Sequence, residues 1–356
     1  MKAVILAAGF GTRMRPITHT GPKQLLPLAN KPVIQYIVEK LRDAGISELC
    51  LIVGYMKAPL MEFLGDGSGF GVKITYRDQL ERKGLAHAVS IAKEWVGDDS
   101  FIVLLGDIIF NMPIKDMVGQ HEASGAPCSV ALFPVNDPEK FGVAEVDDGT
   151  ILRVVEKPKE PKTNLAIAGI YFFSGPEVWD IIGKLKPSAR GEYELTDTIE
   201  TFLKRKRPVN AVKLKGSWKD TGQPEDLLEG NRFILNELTT DIRGTVSEEA
   251  VVRGVVAIGK GSTIGKDVII RGPVTIGEGC TIGPDCIIGP YVSIGNNVTV
   301  KNTSIEESIM MDECKIDYPI KLVNSILGRA ASVGVGNLSS HTVEFVLGDH
   351  SFVRRS

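Results

Sequence analysis

Two hydrophobic rhythms divide the chain. From Lys2 to about Pro208, short apolar runs alternate with amphipathic stretches, and this alternation predicts an α/β domain around a largely parallel sheet. Strands are expected at Lys2–Leu6, Glu48–Val53, Val72–Tyr76, Ser100–Leu105, Cys128–Pro134, Val143–Val146 and Ala166–Phe173. Pro32 to Ala44 reads as a helix, with Pro32 in its opening turn and Gly45 as its stop, and Gly84 to Trp95 reads as a second.

After about Asn236 the rhythm changes to a period of six. Val246, Val252, Ile258, Ile264, Ile270, Ile276, Ile282, Ile288, Ile294 and Val300 fall in register. Four residues after each comes a small or β-branched residue: Ala250, Val256, Ser262, Val268, Val274, Cys280, Cys286, Val292, Val298 and Ser304. This is the pattern of a parallel β-helix with three hexapeptides per coil, in which stacked coils bury the aliphatics. Cys280 and Cys286 then read as small core residues. The register breaks after Val300, Ile305 to Val335 is less regular, and Val343 to Val353 reads as a closing strand or cap.

At 356 residues there is chain enough for two domains, each with its own core. With 41 Lys plus Arg against 44 Asp plus Glu, the balance gives no support for a nucleic-acid or anionic-membrane partner. The basic run Lys204-Arg205-Lys206-Arg207 reads as a solvated helix end. No apolar window reaches a membrane span, and the first residues enter a strand rather than a signal peptide, so a soluble, cytoplasmic protein is expected. The five cysteines are scattered and form no Cys-x-x-Cys pair, which argues against a disulfide framework or zinc site.

The stretch most suggestive of chemistry is Met1 to Leu28. An apolar strand runs into Gly9-Phe10-Gly11-Thr12-Arg13, and Lys23 follows in Pro22-Lys23-Gln24-Leu25-Leu26-Pro27. A strand entering a glycine turn beside fixed cations presents N–H groups and positive charge to a phosphate. The order fits neither a P-loop nor a dinucleotide fingerprint, because Met14 stands where a third glycine would be. Thr12, Arg13 and Lys23 suit a triphosphate, whose leaving pyrophosphate gathers charge. Ligands of open α/β sheets sit at the carboxyl ends of strands, which makes Gly9 to Arg13 and Asp107 of Leu105-Gly106-Asp107 candidates for one crevice.

These residues resemble the signature of the sugar-1-phosphate nucleotidylyltransferases, most closely the long-form glucose-1-phosphate thymidylyltransferase family with a β-helix tail. Gly65-Asp66-Gly67-Ser68, Gln79 with Gly84-Leu85-Ala86, Phe141-Gly142-Val143, Glu156-Lys157-Pro158, Arg190-Gly191-Glu192, Trp218-Lys219-Asp220-Thr221-Gly222 and Val346-Leu347-Gly348-Asp349-His350-Ser351 follow in family order. The resemblance implies a Rossmann-like nucleotidyltransferase domain over residues 1–238, with a mixed, mostly parallel sheet. It also implies a left-handed parallel β-helix over residues 239–356 with a closing strand.

It further implies Mg²⁺ held by Asp107 and Asp220, sensible for a hard cation that takes one or two protein carboxylates and fills its shell with phosphate and water. Arg13, Lys23, Asp107, Lys157 and Asp220 would be the catalytic set. Leu6, Ala8, Gly9, Gly11, Thr12, Arg13, Gln24, Gln79 and Gly84 would bind the nucleotide, with the Gln79 amide reading a pyrimidine edge. Gly142, Glu156, Lys157, Gly169 and Tyr171 would take the sugar phosphate. The implied reaction joins dTTP and glucose 1-phosphate by in-line single displacement, with a homo-oligomer assembled through the β-helix.

Two departures bear on the base and sugar. Ile108 follows Asp107 where the family carries Asn, so a polar contact to the sugar is expected to be missing, and no proline stands between Gln79 and Gly84. A UTP enzyme, or one broad in nucleotide and sugar, is the near alternative. An acyltransferase in the β-helix would call for a histidine between coils, and His19, His87, His121, His341 and His350 all lie outside the repeat. A non-catalytic regulatory subunit would lack the triphosphate and metal residues that stand here.

Overall fold

The computed structural model describes residues 1–334. The expected closing segment Val343–Val353, and His341 and His350 with it, lie outside the described residues. Among the described residues no helix is long and apolar enough to cross a membrane. By their contacts the described residues form two compact units: Met1–Phe10, Gly21–Leu25 and Val33–Asp220 make the first, and Gly11–Thr20, Leu26–Pro32 and the described residues from Thr221 onward make the second.

The first unit is built on a nine-stranded sheet of β1 (Lys2–Ala7), β2 (Glu48–Val53), β3 (Lys73–Asp78), β4 (Phe101–Leu105), β6 (Cys128–Pro134), β7 (Gly142–Asp147), β8 (Thr150–Glu156), β9 (Leu165–Phe173) and β10 (Val209–Lys213). Their order is β3-β2-β1-β4-β9-β6-β10-β8-β7. A small separate ladder pairs β5 (Ile108–Phe110) with β11 (Trp218–Asp220). Alternate residues of a strand face opposite sides, and β1 shows the result: Ala3, Ile5 and Ala7 enter one core, Val4 and Leu6 the other. The first core takes α1 (Val33–Asp43) through Ile34, Ile37 and Leu41 and α2 (Lys57–Leu64) through Leu60 and Leu64. The second takes α3 (Leu85–Ser90), α6 (Glu177–Lys184) and α7 (Leu195–Lys204). Both faces are covered, which is why the central strands β1, β2, β4 and β9 are nearly continuous apolar runs.

The sheet is mixed and mostly parallel, as expected. Strands β3-β2-β1-β4 are parallel, as are β6 and β10, but β9 runs antiparallel between β4 and β6, and β7 and β8 form a hairpin. The turn at Asp148–Gly149 is too short for a parallel crossover, so these strands must reverse. The helix expected over Gly84–Trp95 is divided into α3 and α4 (Lys93–Val96), because Ile91 and Ala92 donate three residues back, to Ala88 and Val89, and tighten the turn. The basic run ends α7 as expected, with Arg205 on Asp180 at 2.8 Å and Arg207 on Glu177 at 2.9 Å.

In the second unit the hexapeptide rhythm becomes stacked parallel ladders. Ile258 pairs with Ile276 and Ile276 with Ile294, a step of 18 residues, and Ile264–Ile282 and Ile270–Ile288 keep the same step on the other ladders. The arrangement is consistent with a parallel β-helix of three hexapeptides per coil. Its interior holds the aliphatic series together with Cys280, Cys286 and Cys314 as reduced, buried thiols. Ser262 shows how a polar residue is tolerated there: its hydroxyl donates to the Gly277 carbonyl at 2.7 Å and accepts from the Cys280 N–H at 2.9 Å. The break after Val300 is a register shift within the strand Thr299–Glu306, where Thr303 rather than Ser304 turns inward.

The same unit contains α8 (Pro224–Leu235) and a hairpin with arms Pro27–Leu28 and Lys31–Pro32. Asn231 of α8, 1% exposed, accepts from the Ala29 N–H at 2.8 Å and from Ser293 Oγ at 2.7 Å. Asn30 Nδ2 donates to the Ile294 carbonyl at 2.6 Å. One buried amide thus ties the hairpin and α8 to a coil.

Back in the first unit, His121 of α5 (Ile114–Ser124) is 2% exposed, stacked on Phe172, with Nδ1 at 2.7 Å from Ser129 Oγ and Nε2 at 2.9 Å from Ser174 Oγ. Burial lowers its pKa, against a smaller opposing influence of Glu122. The unfolded chain therefore binds a proton that the native state resists, so stability present above the ordinary histidine pKa, near 6.5, is lost as pH falls below it. Chemical denaturation between pH 7.5 and 5 is expected to show this loss, approaching about 1.4 kcal/mol per pH unit for one proton. In His121→Gln the slope should be shallower.

Candidate active site

The parallel pairing of β1 with β4 sets Leu6 opposite Leu105, and the Gly106 N–H continues the ladder by donating to the Leu6 carbonyl at 2.9 Å. The turns that follow the two strands, Ala8-Gly9-Phe10 and Gly106-Asp107, are therefore neighbours. Lys23, on the single turn Lys23–Leu25, reaches this point: a side chain added at Gly9 would meet its Cε at 3.9 Å, and its ammonium pairs with the Asp107 carboxylate. Asp107 itself is 8% exposed.

Asp220 arrives by way of the small ladder. Antiparallel pairing sets it opposite Ile108, the residue after Asp107, and the Trp218 indole fixes β11 by donating to the Ala168 carbonyl at 2.9 Å. Asp107 and Asp220 are thus brought together across a long stretch of sequence. Among the described residues no group of three or more His, Cys, Asp or Glu side chains is placed to hold a metal. A pair of aspartates fits Mg²⁺, which is commonly completed by substrate phosphates and water.

Gln24 is 1% exposed, and its Oε1 has no hydrogen-bond partner. A side chain at Gly106 would lie 3.3 Å from its Cγ, which puts this amide beside the Asp107 turn. A buried acceptor without a donor costs folding free energy unless a ligand supplies the donor.

Gln79 follows β3, 6% exposed, its N–H donating to the Val53 carbonyl at 2.8 Å. Its Nε2 lies 3.2 Å from the Gly84 carbonyl and 3.1 Å from His87 Nδ1. Gly84 has φ +103°, and a Cβ there would stand 2.5 Å from the Tyr193 carbonyl, so only glycine fits. His87 belongs to none of the motifs in the sequence; the one signal for it is its spacing from Gly84 at the start of α3. Its pKa is lowered by burial first and by Lys83 next, which favours the neutral ring that can accept from Gln79.

The residues expected around the sugar also assemble. Gly142 and Glu156 pair directly across β7 and β8, and the Lys157 N–H donates to the Phe141 carbonyl at 3.1 Å. Gly169 lies in an irregularity of β9 against Leu105, and Tyr171 two residues on is buried. Thr196 and Glu194, which lie outside the sequence motifs, join this group. Thr196 Oγ1 donates to Glu156 at 3.2 Å, and Arg190 bridges Glu156 at 3.2 Å and the buried Glu194 at 3.3 Å. Burial, with Glu156 next, raises the Glu194 pKa, and the Tyr171 hydroxyl is pushed up by burial and then by both carboxylates. Ile108 is fully buried in the core with Phe110 and Trp218, where it packs the β5–β11 ladder.

Gly11, Thr12 and Arg13 belong to the second unit. Gly11 opens the turn Thr12–Met14, its carbonyl accepts from Thr18 Oγ1 at 2.7 Å, and Thr12 and Arg13 are exposed.

Neighbouring turns at the ends of two parallel strands, two carboxylates and a lysine suit a phosphoryl- or nucleotidyl-transfer type of site. The chain belongs to the nucleotidyl transferase family, which it matches over residues 2–237, and residues 270–355 match the GMPPB C-terminal domain family. It is 47% identical to the low-salt glycan biosynthesis nucleotidyltransferase Agl11 of Haloferax volcanii over 94% of each chain. It is 42% identical to the glucose-1-phosphate thymidylyltransferase of Streptomyces antibioticus over 99% of each chain. A UDP-glucose pyrophosphorylase solved with UDP-glucose superposes on 66% of this chain and 98% of its own, with a TM-score of 0.60 and 29% identity. The protein is a nucleotidyltransferase of the sugar-1-phosphate type.

Gln24→Met keeps the bulk and removes the orphaned acceptor. It is expected to raise stability by about 1 kcal/mol, the scale of an unsatisfied buried group, and to raise the KM for the nucleotide. Thermal melting and initial rates on the same preparations would check both.

Proposed function

We propose that this protein transfers a thymidylyl group from dTTP to glucose 1-phosphate, giving dTDP-glucose and pyrophosphate. The observation that carries this reading is the convergence of Lys23, Gln24, Asp107 and Asp220 at the ends of β1 and β4. It is supported by likeness to the Streptomyces enzyme over the whole chain.

A phosphate oxygen of the sugar 1-phosphate attacks the α-phosphorus in line, and pyrophosphate leaves from the opposite side. Because a sugar phosphate is already ionised near neutral pH, no general base is required. Arg13 would neutralise the leaving pyrophosphate, aided by Gly9, Gly11 and Thr12. Lys23 would hold the α-phosphate or the incoming sugar phosphate, and Lys157 would anchor the latter. Leu6, Ala8, Gln24, Gln79 and Gly84 would line the nucleotide site, with His87 orienting the Gln79 amide. Glu156 would accept from sugar hydroxyls between Gly142, Gly169 and Tyr171. Mg²⁺ bound by Asp107 and Asp220 would offset phosphate charge.

A second reading, a UTP enzyme or one broad in sugar, is favoured by Ile108, since an aliphatic core residue offers the sugar no polar contact. The domain division at 238/239, a left hand for the coils, a homo-oligomer built through them and a cytoplasmic location belong to the same proposal, supported by the hexapeptide pattern and the composition.

The test is pyrophosphate release with Mg²⁺, using dTTP and UTP against several sugar 1-phosphates. The dTTP and glucose 1-phosphate pair should have the highest kcat/KM; a UTP preference would establish the second reading, and no release with any pair would refute transfer. Arg13→Ala is expected to slow turnover by about 10² to 10³, and unchanged turnover would remove Arg13 from its assigned role.

A further inference from the structure

The guanidinium of Arg82 lies over the Phe10 ring, 3.4 Å from its centroid. Phe10 stands on the turn after β1, and Arg82 on the loop between Gln79 and Gly84, after β3. In the sheet β2 separates those two strands, so their ends stand about 10 Å apart, two strand spacings. Beneath the stack β2 runs out at Gly54, where a Cβ would lie 2.6 Å from the Ala8 carbonyl. Gly54 therefore lets the end of β2 pack closely on the turn that carries Phe10.

The ends of the 79–84 loop are held. Gln79 is bonded to Val53, and the Tyr193 N–H donates to the Lys83 carbonyl at 2.7 Å. Its crest is exposed: Leu80 is 90% accessible, and Glu81 and Lys83 pair with each other. Nothing in core packing requires Arg82 to reach Phe10. A cation over an aromatic face is an oriented attraction, and here it spans the gap between two loops.

We propose that Arg82 and Phe10 form a strut that sets the spacing between the base loop and the phosphate turn, making both of them positioning residues for the nucleotide. This rests on the functional reading above. With its base at Gln79 and Gly84 and its phosphates at the Gly9 turn, a nucleotide must cross the end of β2. The strut holds the two ends of that path at a fixed spacing before the ligand arrives. Preorganisation of this kind strengthens nucleotide binding and leaves the sugar phosphate untouched.

The experiment is a double-mutant cycle on the full chain, with the most active nucleotide and sugar phosphate from the substrate panel. Arg82→Ala and Phe10→Leu are each expected to raise the nucleotide KM about three- to fivefold, and the double variant no further, with kcat and the sugar-phosphate KM within about twofold. Arg82→Lys and Phe10→Tyr, which keep the cation and the ring, should restore most of the loss. Melting temperatures should not change, because neither side chain is in the core. Additive losses, a wild-type Phe10→Leu beside a weakened Arg82→Ala, or no change in either would overturn the strut. Should the wild-type protein turn over no nucleotide, the functional reading fails separately, and calorimetric titration of dTTP into wild type and Arg82→Ala then decides: weaker binding by the variant supports the strut, equal or absent binding overturns it.

Discussion

The parallel pairing of β1 with β4 is the constraint on which the site depends. Parallel strands carry their loops out at the same end, so the turn after Leu6 and the turn after Leu105 must emerge side by side. The bond from Gly106 to Leu6 extends that pairing one residue past the strand and sets Asp107 where Lys23 can reach it. Because both faces of β1 are buried, a slip in register would drive Ala3, Ile5 and Ala7 out of one core and Val4 and Leu6 out of the other. Core packing therefore fixes the position of a carboxylate that takes no part in that packing.

The structure also gives up stability near the site. Gln24 is buried with an acceptor unanswered, and Glu156 and Glu194 share one arginine close to the buried Tyr171 hydroxyl. Each arrangement is unfavourable for folding alone and makes sense once a hydroxyl-bearing ligand is present to donate. The raised Glu194 pKa expresses the same tension, since burial and a neighbouring carboxylate both resist its ionisation, while Arg190 and Ser188 oppose them. Such groups are where local rules of stability are expected to fail in a working enzyme.

Much of this is legible in the chain. Strands β1, β2 and β4 are readable because burial on both faces makes each a nearly unbroken apolar run, and the ten-fold hexapeptide rhythm sets the 18-residue step of the coils. The resemblance singles out Gln79, Glu156 and Asp220, which lie at or just after the ends of β3, β8 and β11. What is not legible is long-range pairing. Nothing local in Leu165–Phe173 says that it inserts antiparallel between β4 and β6, since an apolar strand is the same word in either direction. Glu194 and Thr196 stay hidden for a related reason: they come to Glu156 only because α7 packs against the sheet face that carries β8, where Arg190 of the Arg190-Gly191-Glu192 motif joins them.

Ile108 shows that a departure from a family pattern can serve the fold rather than the ligand. Read along the chain, an aliphatic residue after Asp107 means that a pocket lacks one polar group. In the fold the same side chain is part of the core, where Ile108, Phe110 and Trp218 lock the ladder that delivers Asp220. An asparagine there would have to bury its amide or turn the ladder to expose it, and either would disturb the Asp107–Asp220 pair. The residue that offers no handle to the sugar thereby firms the placement of the two carboxylates. Under the proposed function, selectivity for the sugar would rest on the Glu156, Arg190, Glu194 and Thr196 network, whose polar atoms are already oriented by one another rather than by the residue beside the acid pair.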